Sequence, residues 1–324
     1  MKTYRLTGRA ARGIWALIFF APIQALAWNA AGHRIIAAIA WEQLRSDVRS
    51  EVTVLLQQHP DHARWLKRAG EDERDRDRDR RVFIEASTWP DEIRKDKRFY
   101  SAGIENPTPT LPGFPDMERR RDWHYVNIPL NATPDTTPLS GQIDRQLVAL
   151  SATLRNPDSE QSERTYALPW IIHLVGDAHQ PLHTSVRLDA EGRWDKLGNR
   201  LEVRNPFNTR KPVSTLHAFW DELPGPPWLR GDTLDQVTHA LMEAHPRPAR
   251  SSSSQRWIEE SWRIARDDGY PPGSDKTPDM VQTITEAFFE NSREIANRRI
   301  VQAGHRLADL LNQSLKPKRP SGQR

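Results

Sequence analysis

The sequence predicts a mostly α-helical protein that folds as one domain. Apolar residues recur with the three- and four-residue spacing of helices over most of the 324 residues. No internal repeat is present, and no linker-like segment divides the chain. The chain has no cysteine, and at this length it can bury a large core without disulfide bonds. These observations favour a single helical domain with a disulfide-free core.

The first half of the chain is predicted to alternate helices with irregular segments. Its elements are, in order, helical patterns at residues 35–44 and 52–56, an alternating-charge stretch at 70–81 that is either a solvated helix or a mobile loop, an apolar pattern at 83–89 that stops at Pro90, a surface loop at 100–115 and an extended segment at 123–128 that ends at Pro129.

The second half is predicted to be more regularly helical. Its elements are helices at residues 141–154 and 165–178, the second ended by Pro181, a hairpin or long loop at 189–214, helices at 216–222, 233–243, 253–267 and 278–315, and a basic, Pro-containing tail at 316–324.

Residues 1–27 have the three parts of a cleaved secretory signal. Four basic residues precede the apolar stretch 14–23, and Ala25-Leu26-Ala27 has the small-x-small pattern of a cleavage site. An uncleaved membrane anchor is the alternative, but the apolar stretch is short for a bilayer crossing. Cleavage after Ala27 would make Trp28 the N-terminus of an exported protein, periplasmic or secreted, with a catalytic domain at 28–315.

The charge balance says little about partners. The whole chain has 47 Lys and Arg against 43 Asp and Glu, and four of the basic residues belong to the signal, so the remaining chain is balanced. No later segment is long and apolar enough to span a membrane. We therefore expect no stable membrane association, and no feature implies a protein partner. The absence of cysteine in an exported chain suits a bacterial protein.

The segment HLVGDAHQPLH, residues 173–183, is the richest in chemistry. His173 and Asp177 are four residues apart, so they share one face of the predicted helix. Their neighbours are apolar on all sides, which indicates a buried helix, and a buried carboxylate is costly unless it is paired or binds a metal. An Asp–His hydrogen bond inside the core is the simpler alternative.

A second pair with the same spacing favours a metal site. In LHAFWDE, His217 and Asp221 are again four apart beside apolar residues. His183 lies just after Pro181 and can point from another direction. Zinc is bound by His nitrogens and carboxylate oxygens. Two such pairs and a further His exceed what one zinc needs, which suggests a cluster of metals.

Several motifs occur in the order of one known family. They are Trp28…Gly32-His33, Trp89-Pro90-Asp91-Glu92-Ile93-Arg94, Trp123-His124-Tyr125-Val126-Asn127, the segment 173–183, Asp195…Gly198-Asn199 and Leu216-His217…Trp220-Asp221. From Trp28 to about Asn312 the chain resembles zinc-dependent single-strand-specific nucleases of the fungal and plant type I kind, in the zinc phospholipase C/nuclease superfamily. The resemblance implies that superfamily's helical fold with a trinuclear zinc cleft.

The resemblance also implies a set of metal ligands. Three zincs would be held by Asp91, His124, His173 and Asp177, by Trp28, His33 and a shared Asp177, and by His183, His217 and Asp221. In this family the α-amine and carbonyl oxygen of the N-terminal tryptophan bind metal, and an α-amine loses its proton readily near neutral pH. His179 matches no ligand position and is expected behind the site.

The implied activity is hydrolysis of single-stranded DNA and RNA to 5′-phosphate products by a metal-activated water, together with 3′-nucleotidase activity. Asp91 would orient the water, and Arg94 with Asn199 would clamp phosphate, since a guanidinium fits two phosphate oxygens. Tyr125 would stack on a base, which favours unpaired strands. Asn127 stands where fungal members have an acid, and Leu197 stands where the family usually has glycine; these departures affect base preference and the geometry around Asn199.

Two other functions fit parts of the pattern. Zinc phospholipases C share the fold and most ligands, but they resemble a version with Glu in place of Asp221 and lack the Asp195…Asn199 stretch. A non-catalytic zinc-binding protein would need the ligands but would have no use for Arg94 and Asn199, which are not metal ligands. The sequence therefore favours a zinc-dependent endonuclease.

Overall fold

The computed structural model describes residues 28–70, 75–133, 136–189, 191–251, 253–275 and 280–315. The predicted signal at 1–27 and the predicted tail at 316–324 lie outside these residues. Among the described residues the α-helices are α1 (Ala30–Gln43), α2 (Ser46–Gln57), α3 (His62–Ala69), α4 (Asp75–Ala86), α5 (Trp89–Ile93), α6 (Ile143–Arg155), α7 (Gln161–Asp177), α8 (Leu216–Glu222), α9 (Gly231–Ala244), α10 (Ser254–Asp268) and α11 (Glu286–Ser314).

Helix α7 is the centre of the molecule. Every residue from Thr165 to Asp177 is buried, and the helix packs against α1, α2, α5, α6 and α11. A helix that is apolar on all sides is stable in water only when other elements cover it completely. The burial of α7 therefore places its last polar residues, His173 and Asp177, deep inside the domain.

Helix α1 packs along α11 and carries the N-terminal segment into the core. Its first turn is capped by the Asn29 side chain, which accepts from the main-chain N–H groups of Ala31 and Gly32. The close approach to α11 depends on Gly304, because a Cβ there would lie 2.5 Å from Ile39. None of the helices among the described residues combines the length and apolarity that a membrane crossing needs.

Two 3₁₀ helices and five short strands complete the described part. The 3₁₀ helices span Arg121–His124 and Pro181–Thr184. Strand β1 (Ile128–Pro129) pairs in parallel with β2 (Ser185–Val186). Strand β3 (Glu202–Arg204) pairs antiparallel with β4 (Val213–Thr215) and in parallel with β5 (Gln282–Thr283). The first pair joins the segments that follow the two 3₁₀ helices, and so brings His124 and His183 to one place.

The structure confirms the mostly helical, single-domain prediction and corrects details of it. The predicted apolar pattern at 83–89 does not stop at Pro90: α4 ends at Ala86, and Pro90 lies in the first turn of α5, where its missing N–H would have no partner in any case. The segment predicted to be extended from residue 123 begins as a 3₁₀ helix and becomes extended at Tyr125. The last helix starts at Glu286 and not at residue 278, because Gln282–Thr283 form strand β5.

Two ambiguous regions are now assigned. The alternating-charge stretch is helical from Asp75 onward, because it continues into the apolar end of α4. The stretch 189–214 contains the β3–β4 hairpin. Helix α3 was not predicted; it is short, and its buried residues are only Trp65 and Ala69.

Candidate metal centre

Eight of the predicted site residues meet in three groups of His and Asp side chains. Within each group the nitrogen and oxygen atoms all lie within 4.8 Å of one another. The groups are His33, His173 and Asp177; Asp91, His124 and His173; and His183, His217 and Asp221. The first two groups share His173, so the structure joins five of these residues into one continuous cluster.

Asp177 belongs to the first group and also contacts histidines of the second. Its Oδ1 lies 3.4 Å from His33 Nε2. Its Oδ2 lies 3.0 Å from His124 Nδ1 and 3.3 Å from His173 Nε2. The two oxygens of one carboxylate therefore face different histidines, which is the arrangement needed to hold two cations at once.

Close helix packing makes this meeting possible. The His33 ring from α1 stacks on the His173 ring from α7, with centroids 3.8 Å apart. Gly176 opens the space, because a Cβ at this position would lie 2.9 Å from His33 Nδ1. A side chain at residue 176 would collide with the His33 ring and disturb its position beside Asp177.

Three histidines are oriented by main-chain carbonyl groups. The Nδ1–H of His173 donates to Ser87 O at 2.8 Å, that of His183 to His124 O at 2.6 Å, and that of His217 to Leu197 O at 2.7 Å. Each bond fixes the proton on Nδ1 and leaves the Nε2 lone pair directed into the cluster. Carbonyl or carboxylate partners of this kind are usual behind metal-binding histidines.

The third group lies where α8 meets the second 3₁₀ helix. His183 Nε2 is 3.3 Å from His217 Nε2, and His217 Nε2 is 3.4 Å from Asp221 Oδ2. The other oxygen of Asp221 accepts from Gln180 Nε2 at 2.8 Å. All three residues of the group are buried, so the Nε2 atoms of the two histidines and the Oδ2 of Asp221 face one another away from bulk water.

The pKa values show how strongly these groups interact. Burial raises the pKa of Asp221 well above its usual range, and the nearby carboxylates of Asp91 and Asp177 add to the rise. The pKa of Asp177 is well below its usual range despite burial, because His173, His124 and His33 surround it. Burial lowers the pKa of His124 to about 4. Three carboxylates close together in a buried site are repulsive unless cations lie among them.

Unpaired buried atoms fit the same interpretation. Both ring nitrogens of His33, the Nε2 of His124 and the Oδ1 of Asp177 are buried without a hydrogen-bond partner in the described part of the chain. Buried polar atoms are rarely left unpaired, and such exceptions require an explanation. Imidazole nitrogens and carboxylate oxygens are zinc ligands. The residues present therefore fit zinc.

The N-terminal segment lies against the third group. Trp28 is fully buried, and its Cβ limits residue 32 to glycine, since a Cβ there would lie 2.7 Å away. The main-chain N–H of Asn29 donates to Asp221 O at 3.0 Å, and the Asn29 amide donates to Gly225 O at 2.7 Å. These bonds attach the segment that starts at Trp28 to the end of α8.

Arg94 and Asp91 face each other at the edge of the cluster. Arg94 lies just after α5, three residues beyond Asp91, and its Nη1 is 3.2 Å from Asp91 Oδ1. The Asp91 side chain is 16% exposed, so it connects the buried histidines with the surface. Asn199 is half-buried, and its amide donates to Lys196 O at 2.8 Å. Among the described residues no hydrogen bond joins Asn199 to Arg94, its predicted partner.

Tyr125 and Asn127 follow directly after His124. The Tyr125 ring is half-buried, and burial raises its pKa. The Asn127 amide donates to Ser140 Oγ at 2.7 Å, while its Oδ1 has no partner among the described residues. Residue 141 has to be glycine, because its φ is positive and a Cβ there would collide with Tyr125 O.

Leu197, which stands where the family pattern has glycine, adopts a left-handed backbone conformation. Lys196, Leu197 and Gly198 all have positive φ, at 53°, 62° and 78°, a region that favours glycine. The turn directs Leu197 O to the His217 ring. Leu197 therefore holds this turn at the cost of backbone strain.

His179 lies outside the three groups. Its Nδ1–H donates to Val175 O at 2.7 Å, and its Nε2 accepts from Arg306 at 2.8 Å. No lone pair remains for a metal, which agrees with the prediction that His179 lies behind the site.

Two residues near the clusters were missed from the sequence. Asn29 has a readable signal, since an amide just before an apolar helix predicts an N-cap. Gln180 has none, because its bond to Asp221 joins segments far apart in the chain.

Comparison with known proteins places the chain in a family. The sequence model of the S1/P1 Nuclease family matches residues 28–316. The chain is 26% identical to Endonuclease 3 of Arabidopsis thaliana over 315 residues, covering 91% of this chain and 91% of that protein. It is 23% identical to Endonuclease 5 of the same plant over 322 residues, covering 91% and 93% of the two chains.

The family match includes all the described residues, from Trp28 in the core to the end of α11. It also contains every residue of the three His and Asp groups. The chain therefore belongs to the S1/P1 nuclease family and is a nuclease.

Proposed function

We propose that this nuclease is a zinc-dependent phosphodiesterase that cuts single-stranded DNA and RNA and leaves 5′-phosphate ends. The observation that carries the proposal is the position of Asp177, whose two oxygens face histidines from different elements. We also propose that it removes phosphate from 3′-nucleotides, as the type I nucleases do.

The proposal assigns three zincs to the cluster. Asp177 and His173 support the first, with His124 and Asp91 completing the set; His33 and the N-terminal Trp28 join Asp177 for the second. The third is assigned to His183, His217 and Asp221. Zinc ions bound here would act as Lewis acids and lower the pKa of a coordinated water from about 16 to about 7.

The remaining residues bind and orient the substrate. Asp91 is partly exposed and faces both His173 and Arg94, so its carboxylate can accept a proton from the attacking water and hold that water in line. Arg94 donates to Asp91 with one nitrogen and retains others for phosphate oxygens. The half-buried Tyr125 ring supports stacking with an unpaired base, which is worth about 1–3 kcal/mol.

Export is part of the same proposal. The α-amine of Trp28 exists only if the chain is cut after Ala27, and the small-x-small triplet before Trp28 supports cleavage there. N-terminal sequencing of protein recovered outside the cytoplasm should begin at Trp28. Recovery with residues 1–27 still attached would contradict the proposal.

A substrate panel tests the proposed activity against the phospholipase alternative. The zinc-loaded protein starting at Trp28 is incubated with single-stranded DNA, duplex DNA, RNA, 3′-AMP and phosphatidylcholine vesicles. We expect faster cleavage of single strands than of duplex, with 5′-phosphate ends, and release of phosphate from 3′-AMP. Products with 3′-phosphates, or turnover of the lipid alone, would overturn the proposal.

Arg94→Ala separates catalysis from zinc storage. Arg94 is not in any of the three groups, so the variant should retain the full zinc content while its turnover falls about 100-fold, the size of effect seen when one charge-stabilising donor is removed. Unchanged turnover would remove Arg94 from the proposed mechanism. The matched control is Arg298→Ala on the exposed face of α11, which removes one positive charge from a helix that supplies none of the site residues.

A further inference from the structure

Three consecutive arginines precede the site, and two of them are occupied by partners. Arg119 donates to Ile93 O and Asp96 O and pairs with Glu105. Arg120 pairs with Asp116 and Glu118, and its guanidinium lies 5.2 Å from the centre of the Trp123 ring. Arg119 thus ties the segment before the first 3₁₀ helix to the end of α5 and the loop after it, whereas the carboxylate partners of Arg120 both lie within that segment.

Arg121 differs from both neighbours. In the part of the chain that the structure describes, no carboxylate lies within 4.0 Å of its guanidinium, and its Nε is buried without a hydrogen-bond partner. The side chain is half-buried. A partly desolvated guanidinium without an anion is unfavourable, so a partner from outside the described chain would stabilise it.

The 3₁₀ helix aims Arg121 in the same direction as His124. Side chains at positions i and i+3 eclipse in a 3₁₀ helix, and the axial rise between them is about 6 Å. The helix runs from half-buried Arg121 to buried His124, so it descends from the surface into the cleft. The Arg121 side chain therefore points to the same side of this short helix as His124, one turn nearer to the solvent.

A second arginine is close by. Partial burial and the positive charges of Arg94 and Arg119 lower the pKa of Arg121, and the Glu105 carboxylate partly opposes them. Arg119 is already paired with Glu105, whereas Arg94 shares only one nitrogen with Asp91. Two guanidiniums at one rim with too few acids attract an anion with more than one negative group.

We propose that Arg121 binds the phosphate next to the scissile one in a polynucleotide substrate. The inference rests on the proposed function, which places the scissile phosphate against the His and Asp groups and Arg94. Arg121 stands one 3₁₀ turn farther out than His124, so it would meet the next phosphate of the strand. It would thus select longer strands over substrates that have a single phosphate.

The test compares two substrates with three variants. The substrates are thymidylyl-thymidine, which contains only the scissile phosphodiester, and hexathymidylate. For Arg121→Gln we expect KM for hexathymidylate to rise about tenfold with kcat nearly unchanged, and both constants for the dinucleotide to change less than twofold. The slope of log KM against log salt for the longer strand should fall by about 0.7, the contribution of one single-strand phosphate contact.

Arg121→Lys keeps the charge and should recover most of the affinity and of the salt slope, which a packing role would not restore. Arg298→Ala removes one exposed charge elsewhere and should change neither substrate. Equal loss on both substrates, or no loss on hexathymidylate, would overturn the inference. If the parent protein cuts neither substrate, the proposed function itself fails, so the two failures are distinguishable.

Discussion

The cluster histidines and His179 are equally buried but differ in their partners. His173, His183 and His217 each donate through Nδ1 to a main-chain carbonyl and direct Nε2 at other ligand-type atoms. His179 donates through Nδ1 in the same way, but its Nε2 accepts from Arg306, which also pairs with Glu260. The cluster histidines, which form the first region, therefore keep Nε2 lone pairs that a metal cation could take up. In the second region, around His179, the Nε2 lone pair already accepts from the Arg306 guanidinium.

Burial and residue type alone therefore do not distinguish a candidate metal ligand from a histidine that is already paired within the core. Arg299 and Ser261 complete the second region by bonding His179 O and Ala178 O. This network supports the turn directly after Asp177, so the two regions are adjacent and share α7. Loss of the first should remove metal and activity, whereas loss of the second should remove stability.

Asp177→Asn should give the largest effect on the first region. The amide keeps the size of the side chain but removes the negative charge that faces three histidines. We expect loss of more than one zinc equivalent by elemental analysis. Activity should fall by more than the roughly 100-fold that changes behind a metal ligand can cost.

The matched control is Asp221→Asn, which alters only the third group and should cost a single equivalent. If Asp177→Asn also loses one equivalent and keeps the others, Asp177 does not serve two ions.

An N-terminal extension should have the next largest effect. A protein that begins Met-Ala-Trp28 has a peptide amide at Trp28 instead of an amine, and a peptide nitrogen is a poor ligand because it retains its proton. We expect normal helicity by circular dichroism, a deficit of about one zinc and activity lower by roughly 100-fold. Proteolytic removal of the two added residues should restore both properties, whereas adding zinc should not. Full metal content in the extended protein would show that Trp28 only packs in the core.

Arg306→Met should affect the second region instead. Methionine retains the apolar stem, but His179 Nε2 loses its donor and Glu260 keeps only Arg299. Breaking a buried pair costs about 3–5 kcal/mol, and Glu260 is part-exposed, so we expect about 3 kcal/mol in urea unfolding. Zinc content and activity at low temperature should be unchanged. Loss of zinc from the folded variant would mean that the two regions are not separable.

The last effect concerns pH and His59, a buried histidine outside the three groups. Burial lowers its pKa to about 3, and its Nδ1 accepts from the Asp61 N–H at 3.0 Å. Below about pH 6.5 the unfolded chain binds a proton that the folded protein excludes. Folding stability should therefore fall with pH from 6.5 towards 3, by about 1.4 kcal/mol per pH unit from this residue.

His59→Asn keeps an acceptor but cannot be protonated in this range. Its free energy of unfolding, relative to the parent protein, should improve by about 2 kcal/mol between pH 6.5 and pH 5. If the unfolding free energies of the two proteins fell in parallel with pH, His59 would take up its proton as readily in the folded as in the unfolded state.

Local sequence patterns determined the helices and the residue types of the site. The spacing of His173 with Asp177, and of His217 with Asp221, places each pair on one helical face whatever surrounds it. The helix predicted at residues 216–222 has those same bounds in the structure. Local patterns failed where an element is short or has few apolar residues, as for α3, or where proline can either end or begin a helix, as at Pro90.

Only the tertiary structure decided which histidines point at one another and which are already satisfied. His173 and His179 belong to the same segment, yet one donates to Ser87 O beside the cluster and the other accepts from Arg306 on α11. Arg119 and Arg121 likewise differ in their partners and in their burial. Such distinctions depend on carbonyl groups, glycine contacts and charges from distant parts of the chain, and their geometry is fixed only when the core has packed.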